Sequence, residues 1–408
     1  MINSVHSNHE ERTMTDFDTV INRRSTNSIK WKRYGEDILP LWVADMDFAV
    51  PEPVQEALRG AVEHGIFGYE FPTKELREIV ATRMKKLYGW QVSPEMVVAT
   101  PGVIAGFNAA ARTVCTAGQG ILVQPPVYPP FLSVHKNAAL VQQEAPLRMK
   151  AEGATLRYDV GFDTFERAIN TGGAQTGMFL LCNPHNPTGQ AYSYDDLVHM
   201  AEICQRNNIP ICSDEIHSEL LLGGTQHIPL AILSSEIADR TITLVAPSKT
   251  FNVAGLHCAF AIIPNPDLLA RYKETTEQLA MHVNSLGLVA AQAAYSEACD
   301  DWLRDLRVYL TGNRDFLVEY VKREFNGIRV TVPEATYLAW LDCNELVNSG
   351  RINGSPSGFF LKQARVALNE GNEFGSGGEG FVRLNFGCPR AMLEVGLERM
   401  RAALAGNN

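Results

Sequence analysis

The chain has 408 residues, 45% hydrophobic and 20% charged, a composition that fits two or three folded domains of roughly 150 residues and excludes collagen, coiled coils and disordered chains. Its 36 Lys and Arg against 46 Asp and Glu leave a net charge of −10, and no run of five or six basic residues tracks phosphates, so nucleic acid and anionic membrane are poor partners. No stretch nears the ~18 apolar residues of a membrane span, the first residues lack the apolar centre of a secretory signal, and the eight cysteines form no C-x-x-C pair; a cytoplasmic protein with reduced thiols and no metal is expected.

In chain order, residues 1 to about 15 are polar and expected to fray. From about residue 96 to 264, short apolar runs alternate with longer helical patterns. The runs are 96–100, 120–124, 177–182, 209–212, 241–246 and 257–263. Continuous Val, Ile, Leu and Cys describe strands buried on both faces, as in a mostly parallel sheet covered by helices. Residues 195–207 space Leu197, Met200, Ala201 and Cys204 as one helical face and supply a crossover. After about Ser285 the texture changes. Helical patterns over 286–295 and 302–324 lead into strand-like runs at 328–332 and 337–341. A Gly-rich loop over 371–380 then precedes an alternating run, 381–386, with Val382, Leu384 and Phe386 on one face and Arg383 and Asn385 on the other. The expected fold is α/β: a mostly parallel sheet sandwiched by helices in a large domain of residues 50–287, and a smaller α+β domain of residues 288–408 joined by an N-terminal segment, 1–49.

In open α/β sheets ligands bind beyond the carboxyl ends of the strands, so the residues that follow each run carry the information. After 96–100 comes a turn at Pro101-Gly102 and a helix whose first N–H groups, at Val103 and Ile104, are free for a phosphate. Tyr128 follows 120–124, and Asn186 follows 177–182. Asp214 and His217 follow 209–212, and Ser248 and Lys249 follow 241–246. Singly, each has an ordinary explanation: a helix cap for Asp214, a solvated loop for Lys249, a turn for Asn186, packing for Tyr128 and His217. Together, an aromatic plate, an amide, a carboxylate and an amine at one edge of one sheet suit a charged heteroaromatic cofactor with a phosphate tail.

The chain resembles the fold type I pyridoxal-phosphate enzymes of aminotransferase class I and II over nearly its whole length, and within them the MalY/PatB cystathionine β-lyase branch. Seven motifs carry the resemblance, in order: 41–48 (LWVADMDF), 64–69 (HGIFGY), 100–108 (TPGVIAGFN), 183–189 (NPHNPTG), 213–217 (SDEIH), 246–256 (APSKTFNVAGL) and 382–390 (VRLNFGCPR). It implies pyridoxal 5'-phosphate as cofactor, held covalently by Lys249, which then serves as the base at Cα. Asp214 would pair with the pyridine nitrogen, Asn186 would bond the ring oxygen and Tyr128 would stack on the ring, the third catalytic residue beside Lys249 and Asp214. His217 stands where many relatives place a tyrosine that reaches the ring oxygen. The Val103 and Ile104 backbone and the Ser248 hydroxyl would take the phosphate, and Tyr69 would reach it from a neighbouring subunit, which implies a homodimer. Arg383 would fork onto the α-carboxylate of an amino-acid substrate. His257 replaces an arginine that many aminotransferases use for the phosphate, a departure that fits the lyase branch. The expected activity is carbon–sulfur β-elimination from cystathionine or a related cysteine conjugate, giving a thiol, pyruvate and ammonia. An aminotransferase is the alternative, and a cofactor-binding regulatory protein a further one.

Overall fold

The computed structural model describes residues 14–406; residues 1–13, most of the segment expected to fray, lie outside the described residues. The strands in chain order are β1 (Leu39–Pro40), β2 (Val97–Thr100), β3 (Gly120–Val123), β4 (Val141–Glu144), β5 (Arg148–Glu152), β6 (Thr155–Asp159), β7 (Thr176–Cys182) and β8 (Ile211–Asp214). They continue with β9 (Thr241–Val245), β10 (Ala259–Ile262), β11 (Arg329–Thr331), β12 (Leu338–Asp342), β13 (Val366–Ala367), β14 (Asn369–Glu370) and β15 (Phe381–Asn385).

A seven-stranded sheet runs β2-β10-β9-β8-β7-β3-β4. All six apolar runs read from the sequence lie in it, and every residue of β3, β7, β8, β9 and β10 is buried. Its pairs are parallel except around β10, which is antiparallel to both neighbours. Between β9 and β10 stand only two one-turn helices, Pro247–Thr250 and Ala254–Leu256, too little for the helical crossover that a parallel return needs. Helices cover the sheet through apolar stripes. Val103–Val114 buries Val103, Phe107 and Ala109 to Ala111, and Tyr194–Arg206, capped by the Ser193 hydroxyl, buries Leu197, Met200, Ala201, Ile203 and Cys204. Each fully buried large apolar side chain in such a stripe stabilises the fold by about 1.5–3 kcal/mol.

A second, six-stranded sheet runs β14-β15-β12-β11-β6-β5. The hairpin of β5 and β6 comes from the middle of the chain and joins this sheet through parallel pairing of β6 with β11, where the hydroxyl of the buried Tyr158 accepts a hydrogen bond from Trp340 at 3.1 Å. The N-terminal segment is tied to the C-terminal part by parallel pairing of β1 with β13. The 25-residue helix Asp300–Glu324 packs one stripe, Trp302, Leu303, Leu306, Leu310, Leu317, Val318 and Val321, against this part of the core. The glycine-rich stretch differs from the loop expected: it opens with a 3-10 turn, Gly371–Phe374, because the Phe374 side chain is fully buried under Trp340.

Candidate active site

The carboxyl ends of β2, β7, β8 and β9 open on one cavity of about 370 Å³. At the end of β2, Gly102 adopts φ 133° and ψ 160°, a backbone that a side chain would oppose. The chain thereby turns straight into the helix Val103–Val114 with no side-chain cap. Its first N–H groups therefore face the cavity without helical partners, at the positive end of a three-turn dipole. Ser248, Ala254 and His257 line the same cavity.

Asp214 closes β8 level with Cys182 at the end of β7, so the loops after the two strands meet at one edge. Its carboxylate is 2% exposed and accepts one hydrogen bond, from the Ile216 N–H at 3.2 Å. Burial, with Glu215 adding to it, pushes its pKa up to about 7, against the opposing pull of Ile216 and Lys249. Lys249 lies in the one-turn helix Pro247–Thr250, whose first-position proline pre-sets the turn after extended Ala246. Its Nζ donates to the Ala44 carbonyl at 2.7 Å. Burial and the charge of Arg383 pull the amine down to about 8, while Asp45 and Asp214 act the other way. Among the described residues neither Asp214 nor Lys249 belongs to an ion pair.

Tyr128 and Asn186 line the cavity as well. Burial raises the Tyr128 phenol, which thus stays protonated. His217 lines the cavity too, 2% exposed, with Nδ1 lacking a partner among the described residues; burial, then Lys249 and Arg383, push it down to about 3, so the ring is neutral. Arg383 stands one layer behind. Its strand alternates as the sequence suggests, but the second face meets no solvent, since all five residues of β15 are buried. The guanidinium lies 5.0 Å from the Phe374 ring centre and donates to Asn186 Oδ1 at 3.0 Å, the Trp42 carbonyl at 3.0 Å and Asn369 Oδ1 at 2.6 Å. Its Nε is buried without a partner among the described residues.

Eight of the ten residues singled out from sequence thus line one cavity: Val103, Ile104, Tyr128, Asn186, Asp214, His217, Ser248 and Lys249. Arg383 reaches it through Asn186, and Tyr69, fully exposed, is not part of it. Sequence reasoning missed Ala44, Trp42, Cys182 and Asn369, and Tyr337, whose hydroxyl donates to the Ala44 carbonyl at 2.9 Å. Asn369 could have been found as the cross-strand partner of Arg383, whereas Ala44 and Trp42 act through backbone carbonyls, which leave no mark in a side-chain inventory. No cluster of three or more His, Cys, Asp or Glu suited to a metal ion occurs among the described residues.

The donor set fits a phosphorylated pyridine aldehyde. A buried carboxylate with no cationic partner suits a protonated ring nitrogen, a part-buried amine suits an aldehyde, and free helix N–H groups beside a serine hydroxyl suit a phosphate.

Residues 36–400 match the family model described as aminotransferase class I and II. The cystathionine beta-lyase PatB of Bacillus subtilis (strain 168) is 38% identical over 397 residues, 96% of this chain and 100% of PatB. Cystalysin from Treponema denticola, solved with pyridoxal 5'-phosphate, matches with a TM-score of 0.89 and 30% identity, covering 97% of this chain and 100% of cystalysin. The pyridoxal-phosphate-bound C–S lyase from Staphylococcus hominis matches with a TM-score of 0.87 and 32% identity, covering 96% of this chain and 98% of that enzyme.

Proposed function

The chain belongs to the aminotransferase class I and II family, and from that premise we propose that it is a pyridoxal-phosphate-dependent carbon–sulfur β-lyase that cleaves cystathionine or a related cysteine conjugate to thiol, pyruvate and ammonia. The observation that carries the reading is that a buried carboxyl and a part-buried amine, Asp214 and Lys249, share one cavity and are not paired with each other.

Pyridoxal phosphate, when bound, supplies an electron sink for the charge left at Cα. Lys249 would hold it through Nζ and, once free, take the Cα proton on the same nitrogen; burial brings the amine from 10.5 down to about 8, so its neutral, proton-accepting fraction at physiological pH is far larger than that of an ordinary lysine. Asp214 would hold a proton on the cofactor's ring nitrogen. Tyr128 would stack on the ring, Asn186 and neutral His217 would take the ring oxygen, and the Val103 and Ile104 N–H groups with Ser248 would hold the phosphate. Arg383 binds the α-carboxylate bidentately by exchanging its present acceptors for the two carboxylate oxygens.

The enzyme acts as a homodimer in which Tyr69 completes the partner's phosphate site. Supporting this, Ile66, Phe67, Tyr69 and Phe71 are all exposed in one short segment, an apolar surface of the kind that marks an interface. The eight free cysteines, seven of them buried, support a reducing compartment, the cytoplasm.

The test is incubation of the loaded enzyme with cystathionine and no keto acid. Sustained release of pyruvate and thiol over many turnovers is expected. Arrest after one equivalent of amine-form cofactor would establish an aminotransferase, and no reaction in either mode would leave a regulatory protein.

A further inference from the structure

The segment of residues 41–48, LWVADMDF, has no role in the reading above. Its backbone carbonyls, however, are tied one after another to side chains of distant segments. Arg383 Nη2 donates to Trp42 O at 3.0 Å, Asn385 Nδ2 to Val43 O and Asp45 O at 2.5 and 2.7 Å, and Asn252 Nδ2 to Met46 O and Phe48 O at 2.9 and 2.8 Å. Among them, Ala44 O receives two donors: Lys249 Nζ at 2.7 Å and the Tyr337 hydroxyl at 2.9 Å. Tyr337 stands directly before β12, is 1% exposed, and accepts the Phe386 N–H on its own carbonyl at 2.9 Å, which anchors it to the β12-β15 pairing.

We infer that Tyr337 is a positioning residue for proton transfer at the substrate Cα: its hydroxyl holds the Ala44 carbonyl as the docking point of the Lys249 amine. The inference rests on the reading of Lys249 as the Cα base. A peptide carbonyl has two lone pairs and serves both donors at once. While Lys249 is engaged elsewhere, the Tyr337 hydroxyl still donates to this half-buried carbonyl, so the segment has no reason to rearrange. When the amine is free, one N–H points at Ala44 O and the nitrogen lone pair remains for the Cα hydrogen. The proton moves to Nζ and the C–H electron pair stays with carbon. Burial keeps the Tyr337 phenol protonated and therefore a donor. The other charged or titratable groups facing Lys249 are Asp214 at the end of β8, His217 just beyond it, Asp45 within the same segment and Arg383 on β15.

The test compares wild type with Tyr337→Phe, both loaded with cofactor, in D2O with L-alanine, following loss of the Cα proton signal by NMR. Alanine has no β leaving group, so exchange reports proton removal apart from elimination. Exchange about tenfold slower is expected in the variant, with cofactor content and melting temperature close to wild type. A second readout uses cofactor-free protein: the titration midpoint of Lys249, from competitive acylation read by mass spectrometry, should fall by about half a pH unit, because a held carbonyl favours the ammonium form. Tyr320→Phe, which removes a hydroxyl bonded to Glu398 at 2.8 Å outside the cavity, should change neither. Exchange within about twofold of wild type, or a midpoint that stays or rises, overturns the inference. A wild type that exchanges alanine but releases no pyruvate from cystathionine overturns the lyase reading alone, and one that exchanges nothing overturns the role of Lys249 on which both rest.

Discussion

Two sets of buried charges in this protein are arranged in opposite ways. Under the helix Lys74–Tyr88, Arg83 and Glu219, 4% and 3% exposed, form a fork of guanidinium to carboxylate, with Nε to Oε1 at 2.9 Å, and Asp300 takes Nη1 at 3.2 Å. Near the N-terminal segment, fully buried Lys30 pairs with Asp47 at 2.7 Å, and Trp31 and Arg23 fill the other carboxylate oxygen at 2.8 and 2.7 Å. Burial opposes ionisation of Asp47, but Lys30 and these donors outweigh it and hold the carboxyl below its ordinary value. At the cavity the balance is reversed, and burial outweighs every partner of Asp214 and Lys249. Charges satisfied inside the chain hold the fold together; charges left open to a cavity are kept for a ligand.

That contrast can be broken most severely at the amine. Lys249→Ala should lower pyruvate release at least about 10⁴-fold and abolish borohydride-trapped cofactor, while the melting temperature of the cofactor-free protein stays close to wild type, because no ion pair among the described residues is broken. Covalent label at another lysine would refute the assignment.

Asp214→Asn should retain cofactor and lower kcat about 10³-fold, since an amide cannot hold the ring nitrogen protonated. In cofactor-free protein the same change should stabilise. The folded-state pKa of about 7 lies above the ordinary 3.8, so ionised Asp214 disfavours folding fully above about pH 7, and this penalty fades as pH falls towards 4. Removing it gains up to about 4 kcal/mol at pH 8 and nothing below about pH 4. Denaturant melts of the two cofactor-free proteins across that range check the sign.

Glu219→Gln should act on stability instead, losing about 3–5 kcal/mol by leaving Arg83 buried and unpaired, while kcat per folded molecule is unchanged. A large fall in kcat at full folding would move this pair into the functional class. Arg383→Ala should lower kcat/KM by about 3 kcal/mol with the cofactor spectrum intact. Loss of cofactor in that variant would place Arg383 at the phosphate rather than the substrate.

The sequence by itself was enough to find most of the lining of this cavity, because strands buried on both faces read as apolar runs and the polar residues that line it stand at or within a few residues of the strand ends. Asp214, Lys249, Asn186, Tyr128 and the Gly102-Val103 turn are local in this sense: knowing where a strand ends suffices to place them. The family motifs added Arg383, but its setting came only with the tertiary structure. Arg383 meets Asn186 across 197 residues and the Trp42 carbonyl across 341, and β15 alternates as read while Arg383 and Asn385 on its second face turn to the carbonyls of Trp42, Val43 and Asp45 and not to water. The crossing of β5 and β6 to the second sheet, the tie of β1 to β13, and the Ala44 carbonyl shared by Lys249 and Tyr337 were likewise decided only in three dimensions. These are pairings of backbone groups, and every residue carries the same carbonyl and N–H whatever its side chain. Which of them meet is set by sheet register and packing between distant segments, and one-letter patterns do not record either.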